Sequence, residues 1–342
     1  TGATGFGVNP PAASTAPTSP STYTIMGTIA GVFHVGAAQV APNYTTLTNA
    51  ITDLNNKVMV GAVTFILDDA NYSTSETFPL IIQSNIGSSS TNTLTLKPNT
   101  GATTTITGSV GSGALIRVKN SYTTIDGSNN GTTTRDLTIS NTNTTGPQVI
   151  FCPSVGTGIL TNVTIKNTNI INGATTSSAL VFTDEAGTAG NFSNLTVQNN
   201  SIKKAYIASY MNGNVVAGNG SGTVITGNDI NATGTDYVRL VGVYVQGFDG
   251  VTISNNNIGN IIDANAEVKR AIWLATGTSN TSITGNTINN VGFSGTSTST
   301  GTGYGIALTN GIANSNILVK SNTLTNINST GASTTYGIYL SG

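Results

Sequence analysis

Any chemistry in this chain of 342 residues must come from thirteen acidic side chains, twelve basic ones, one histidine and one cysteine. Inverting cleavage of a glycosidic bond needs two carboxyls roughly 6.5–9.5 Å apart. A lyase needs a Lys or Arg base, often with carboxylates that hold calcium near a sugar acid. The acids that fall close together are Asp68-Asp69, Asp184-Glu185, and Asp263 with Glu267 ahead of Lys269-Arg270. Asp favours turns because it bonds local backbone, and turn roles account for the first two pairs more simply than catalysis. Lys203-Lys204 with Arg239 suggests a small basic spot for an acidic sugar, against the simpler reading of salt-bridged or solvated loop charges. His34 reads as an ordinary polar residue upstream of the repeats, and Cys152 as a buried, inert thiol. No catalytic residue, metal ligand or cofactor is assigned on this basis.

Composition narrows the partners. Charged residues make up 7% of the chain and the net charge is -1, so the basic field that holds nucleic-acid phosphates is missing. No apolar run approaches the roughly 18 residues of a membrane span. A single cysteine excludes an internal disulfide framework and a Cys-based zinc cage. The opening, Thr1-Gly-Ala-Thr-Gly, reads as a trimmed terminus, and Gly342 stops within a repeat, so a longer polypeptide is expected.

The elements that would position these residues are repeats. Leu195-Thr-Val197-Gln-Asn199-Asn200-Ser-Ile202, Val251-Thr-Ile253-Ser-Asn255-Asn256-Asn-Ile258 and Thr281-Ser-Ile283-Thr-Gly285-Asn286-Thr-Ile288 share one pattern: aliphatic or Thr, any, aliphatic, any, small or Asn, Asn, any, aliphatic. Their starts, with looser copies, fall at 137, 163, 195, 223, 251, 281 and 317. A second line, Gly242-Val-Tyr-Val245, Ala271-Ile-Trp-Leu274, Gly305-Ile-Ala-Leu308 and Gly337-Ile-Tyr-Leu340, tracks the first half a coil away. Two short alternating strands per period, with no helix in the repeat, describe a solenoid of β-strands. The usual chirality of parallel crossovers makes it a right-handed parallel β-helix, an all-β fold.

Stacked coils would set Asn200, Asn228, Asn256, Asn286 and Asn322 in one structural file, each amide bonding its neighbours. Sequons such as Asn162-Val-Thr164 and Asn194-Leu-Thr196 follow from the same composition and say little about glycosylation. Residues 1–22 form a Pro/Gly/Ser/Thr-rich lead-in, residues 23–60 an N-terminal cap with a helix over 44–57, and residues 61–342 the β-helix, cut short at its C-terminal end. The helix rests on Leu47, Ala50, Ile51 and Leu54 at helical spacing, and it would plug the end of the stack. In the second strand line the residue between the inward aliphatics points outward: Tyr244, Trp273, Ala307 and Tyr339, with Tyr210 one coil earlier if Ala208-Ser-Tyr-Met211 matches. Exposed aromatics a coil apart would form a flat platform for sugar rings, or an apolar stripe for another protein. Against both stands the plain preference of strands for Tyr and Trp.

The stretches Tyr44-Thr-Thr-Leu-Thr-Asn-Ala-Ile-Thr-Asp-Leu-Asn55, Val63-Thr-Phe-Ile-Leu67 and Thr124-Ile-Asp-Gly-Ser-Asn-Asn-Gly-Thr-Thr-Thr-Arg-Asp-Leu-Thr-Ile-Ser-Asn141 resemble exported β-helix proteins of Bacteroidota. Those are similar in outline to the pectate-lyase-like superfamily. The resemblance covers roughly residues 40–342 and implies type IX secretion through a C-terminal sorting domain, and so a secreted or outer-surface location in a Gram-negative bacterium. It carries over no catalytic set, since the Gly-His-Gly and Arg-Ile-Lys elements of polygalacturonase-like members do not occur. Three functions stay open: a non-catalytic rod with a structural, adhesive or glycan-binding role, a polysaccharide lyase or glycoside hydrolase with a groove along the sheet, or a subunit of a surface filament or secretion-associated complex.

Overall fold

A computed structural model of the protein describes residues 26–313 and 315–341; the lead-in expected over residues 1–22 lies outside them. Three parallel sheets run along the molecule. The first has ten strands, from Gly27–Val35 to Leu318–Lys320. The second has nine, from Asn71–Tyr72 to Thr323–Ser329, and the third nine, from Leu80–Ile82 to Tyr336–Leu340. One coil gives a strand to each sheet in turn: Val251–Ser254, Asn257–Asp263 and Val268–Leu274, after which Ser282–Thr284 returns to the first sheet. The protein is a parallel β-solenoid.

Sequence periodicity pointed to two strands per coil, and the structure has three. The repeated pattern is not one strand but two joined by a corner. Val251 and Ile253 face the core from the first sheet, and Ile258 faces it from the second. The corner residue adopts a left-handed conformation in successive coils: Asn199 (φ 51°), Gly227 (66°), Asn255 (54°), Gly285 (67°) and Ser321 (56°). Glycine and asparagine enter that region most cheaply, which explains the "small or Asn" position.

The next residue is the ladder asparagine. Asn256 donates from its backbone N (3.0 Å) and Nδ2 (2.9 Å) to Oδ1 of Asn286, and from Nδ2 to the carbonyl of Ile225 (2.9 Å). Its own Oδ1 accepts the same pair of bonds from Asn228. Asn200 opens the file, accepting from the Thr168 amide and hydroxyl, and Asn322 continues it after Asn286. Asn200, Asn228, Asn256 and Asn286 are all buried, so these bonds satisfy groups that water cannot reach.

At the N-terminal end the helix α1 spans Leu47–Asn55, shorter at both ends than the expected 44–57. Tyr44 is held in a bridge to Val35, and Lys57 already begins the strand Lys57–Leu67. Its buried face is Leu47, Ala50, Ile51 and Leu54, packed into the main core. Thr46 caps it through Asn49 N (3.1 Å), and the Glu76 carboxylate accepts from the amides of Leu47 (2.9 Å) and Thr48 (2.6 Å). That carboxylate sits where the helix dipole favours negative charge. Among the described residues, no helix is long and apolar enough to cross a membrane.

Replacing Asn256 by Ala strands the buried amide groups of Asn228, each worth about 1–3 kcal/mol. The expected result is a loss of about 3 kcal/mol in urea unfolding. Asn255→Gly should be nearly neutral, whereas Asn255→Val should cost about 1–2 kcal/mol for its left-handed φ.

Candidate ligand-binding face

The aromatic residues singled out by spacing lie on the outward surface of the third sheet. Within each of its strands two neighbouring residues turn inward: a Cβ added at Gly242 would strike Ile258 and Ile261 of the core, and Val243 beside it is also buried there. The outward positions are therefore the residues flanking that pair. One outward row runs Arg117, Phe151, Val181, Tyr210, Tyr244, Trp273, Ala307, Tyr339. A second row beside it includes Val241, Arg270, Tyr304 and Tyr336. Tyr210, Tyr244, Trp273 and Tyr339 thus share one file.

Their rings do not form the flat platform expected from sequence. Tyr210 and Tyr244 stack on each other, 4.9 Å apart and 20° from parallel, and Tyr244 is only 8% exposed. Trp273 stands edge-on to Tyr244 at 87°, turned by a hydrogen bond from its Nε1 to Thr309 Oγ1 (2.7 Å). Ala307 interrupts the row, and Tyr339 stacks instead on Tyr304 of the neighbouring row, 4.5 Å away. The cause is the coil spacing. Strands about 4.8 Å apart bring like rings to stacking distance, so they cover one another's faces and offer mainly edges to solvent.

Further towards the N-terminus the same row forms a groove of about 370 Å³. Ala114, Phe151 and Val181 make its apolar floor, with Tyr210 packed at one end. Gln148, Ser178 and Thr183 supply polar groups around it. Arg117 lies 5.1 Å over the Phe151 ring and pairs with Glu185, which Lys119 also holds at 3.0 Å. Sequence reading missed this groove because its strands lack the Gly/Ala-aliphatic-aromatic signature of later coils. A signal was present: Cys152 aligns inward with Phe182, which places Phe151 and Val181 outward. Cys152 itself is fully buried, and burial pushes its thiol pKa up.

The acids are engaged elsewhere. Asp68 takes His34 Nδ1 (2.9 Å), Gln39 (2.8 Å) and Asn99 (2.7 Å), and Asp69 accepts from the Ala37 amide (2.7 Å). Asp184 closes a turn through the Thr188 amide and hydroxyl, bonds that hold its carboxyl below the usual range. Arg239 is turned to Glu267 (2.9 Å) and so is not a free partner for Lys203 and Lys204, which lie at a second-sheet strand and the corner after it. Lys269, with no exposed side-chain surface, bonds Asp263 (2.7 Å) and Glu267 (3.1 Å). The groove lining contains one carboxylate, Glu185, not the pair that hydrolysis of a glycoside requires. Among the described residues, no group of three or more His, Cys, Asp or Glu side chains could hold a metal ion.

Burial opposes ionisation of Asp263, but hydrogen bonds from Lys269 and Asn265 outweigh it, and its pKa is lowered. A depressed carboxyl pKa stabilises the fold above the ordinary value of about 3.9 and loses that effect as pH falls through the folded-state value. Asp263→Asn should therefore lower the free energy of urea unfolding at pH 7 by on the order of 1–3 kcal/mol, with the deficit shrinking below about pH 4. No family model, curated protein or solved structure matches the chain.

Proposed function

We propose that the protein is an exported, non-catalytic β-solenoid that binds saccharides along the outward face of its third sheet, serving as an adhesive or glycan-binding rod at the surface of a Gram-negative bacterium. The observation that carries this is the groove over Phe151 and Val181. Its apolar floor with a few converging polar groups is the usual build of a small-molecule site, and about 370 Å³ lies within the usual range. The carbon–hydrogen face of a sugar ring suits the Phe151 and Tyr210 side, and Gln148, Ser178 and Thr183 suit its hydroxyls. The single lining carboxylate, already held by two cations, favours binding over cleavage. An export route rests on the resemblance of residues 44–67 and 124–141 to exported β-helix proteins.

The test is a glycan-array screen of the wild type, Phe151→Ala and Tyr210→Ala, followed by titration of any hit. Both side chains point away from the core, so the variants should keep their fold. Loss of one well-packed aromatic contact, about 1.5 kcal/mol, should weaken binding at least about tenfold. Unchanged affinity in both variants would remove the groove from consideration.

A further inference from the structure

Arg270 lies on the outward face of the third sheet, four strands along from Phe151, at a separation of roughly 19 Å. It differs from the other arginines on the molecule. Arg117, Arg135 and Arg239 each have a carboxylate within 4.0 Å, whereas Arg270 has none among the described residues. Its guanidinium sits 3.9 Å from the centroid of the Trp273 ring and 5.6 Å from that of Tyr304. Nη1 donates to the carbonyl of Val268 (3.0 Å). Nε is buried without a hydrogen-bond partner, so the Nε–Nη2 edge of the fork is left unused by the described residues. Burial pulls its pKa down, and phenols of Tyr304, Tyr339, Tyr244 and Tyr206 stand around it.

A half-buried cation without a counter-ion is an incomplete arrangement. Desolvating a guanidinium costs several kcal/mol, of which stacking on aromatic rings returns only about 0.5–2. The planar fork accepts a carboxylate through two parallel hydrogen bonds, and aromatic walls that exclude water strengthen such a pair. We propose that Arg270, walled by Trp273 and by the stacked pair Tyr304 and Tyr339, is a binding site for an organic carboxylate. The carboxylate completes the charge pair at Nη2, beside the buried Nε, while the body of the ligand lies against the tyrosine rings. The site is separate from the groove over Phe151 and stands or falls independently of it.

Trp273 is the only tryptophan in the chain, so the site carries its own reporter. The experiment titrates the full chain at constant ionic strength with a uronate methyl glycoside, with N-acetylglutamate, and with chloride as control, reading tryptophan emission. A saturable change at roughly millimolar concentrations is expected with a carboxylate and not with chloride. Whichever of the two saturates at lower concentration identifies a sugar acid or an acidic polypeptide side chain as the source. Arg270→Gln should raise the half-saturation concentration at least about tenfold, and Arg270→Lys, which keeps the charge but loses the fork, should fall between. Three results would overturn the site: no saturable change with either carboxylate, an equal change with chloride, or an undiminished response in a folded Arg270→Gln. The wild-type comparison with chloride stands even if a variant fails to fold.

Discussion

At five successive corners between the first and second sheets, those of Asn200 to Asn322, the chain turns through a left-handed residue and then buries a peptide group that has no strand partner. One asparagine per coil resolves this, as Asn256 does between Asn228 and Asn286, by bonding the neighbouring coil through side chain and backbone together. An apolar residue there would leave several buried donors unpaired in every coil. The ladder also fixes registration. Because each amide must meet the next, successive coils cannot slide, and whatever projects from one coil falls directly over its counterpart in the next.

That registration shapes the outer surface. Stacking at a strand's spacing favours rings that lie face to face, as Tyr210 and Tyr244 do, and so consumes the faces a ligand would need. The proposed binding places are those where the file is broken or unequal. One is the groove, where Phe151 and Val181 alternate in size beneath Arg117. The other is Arg270, set among rings with no carboxylate within 4.0 Å among the described residues.

Much of the architecture was legible in the sequence, because strand alternation and a repeated asparagine are local patterns. The helix face Leu47, Ala50, Ile51 and Leu54 was legible for the same reason. What escaped was non-local. The corner at Asn255-Asn256 is legible from its residue types, but not that the aliphatic after it, Ile258, opens a separate sheet with its own pairing partners. Strand Gly27–Val35 escaped because its edge pairing with Lys57–Leu67 spans a helix. The outward phase of Tyr244 and Trp273 could be read from spacing, but the tilt of Trp273 depends on Thr309, 36 residues away. The groove wall joins Arg117 to Glu185 across 68 residues, and no periodicity carries that information.

We propose the outward face of the third sheet, and not the corners or the other two sheets, as the place where this protein meets its ligand. The most direct measurement is a crystal structure of the chain with an oligosaccharide that binds it in solution. Sugar density is expected over Phe151 and Val181, with Tyr210 at one end and ring hydroxyls bonded to Gln148, Ser178 or Thr183. Density confined to the second sheet or to the corner loops, with the Phe151 groove empty, would contradict it.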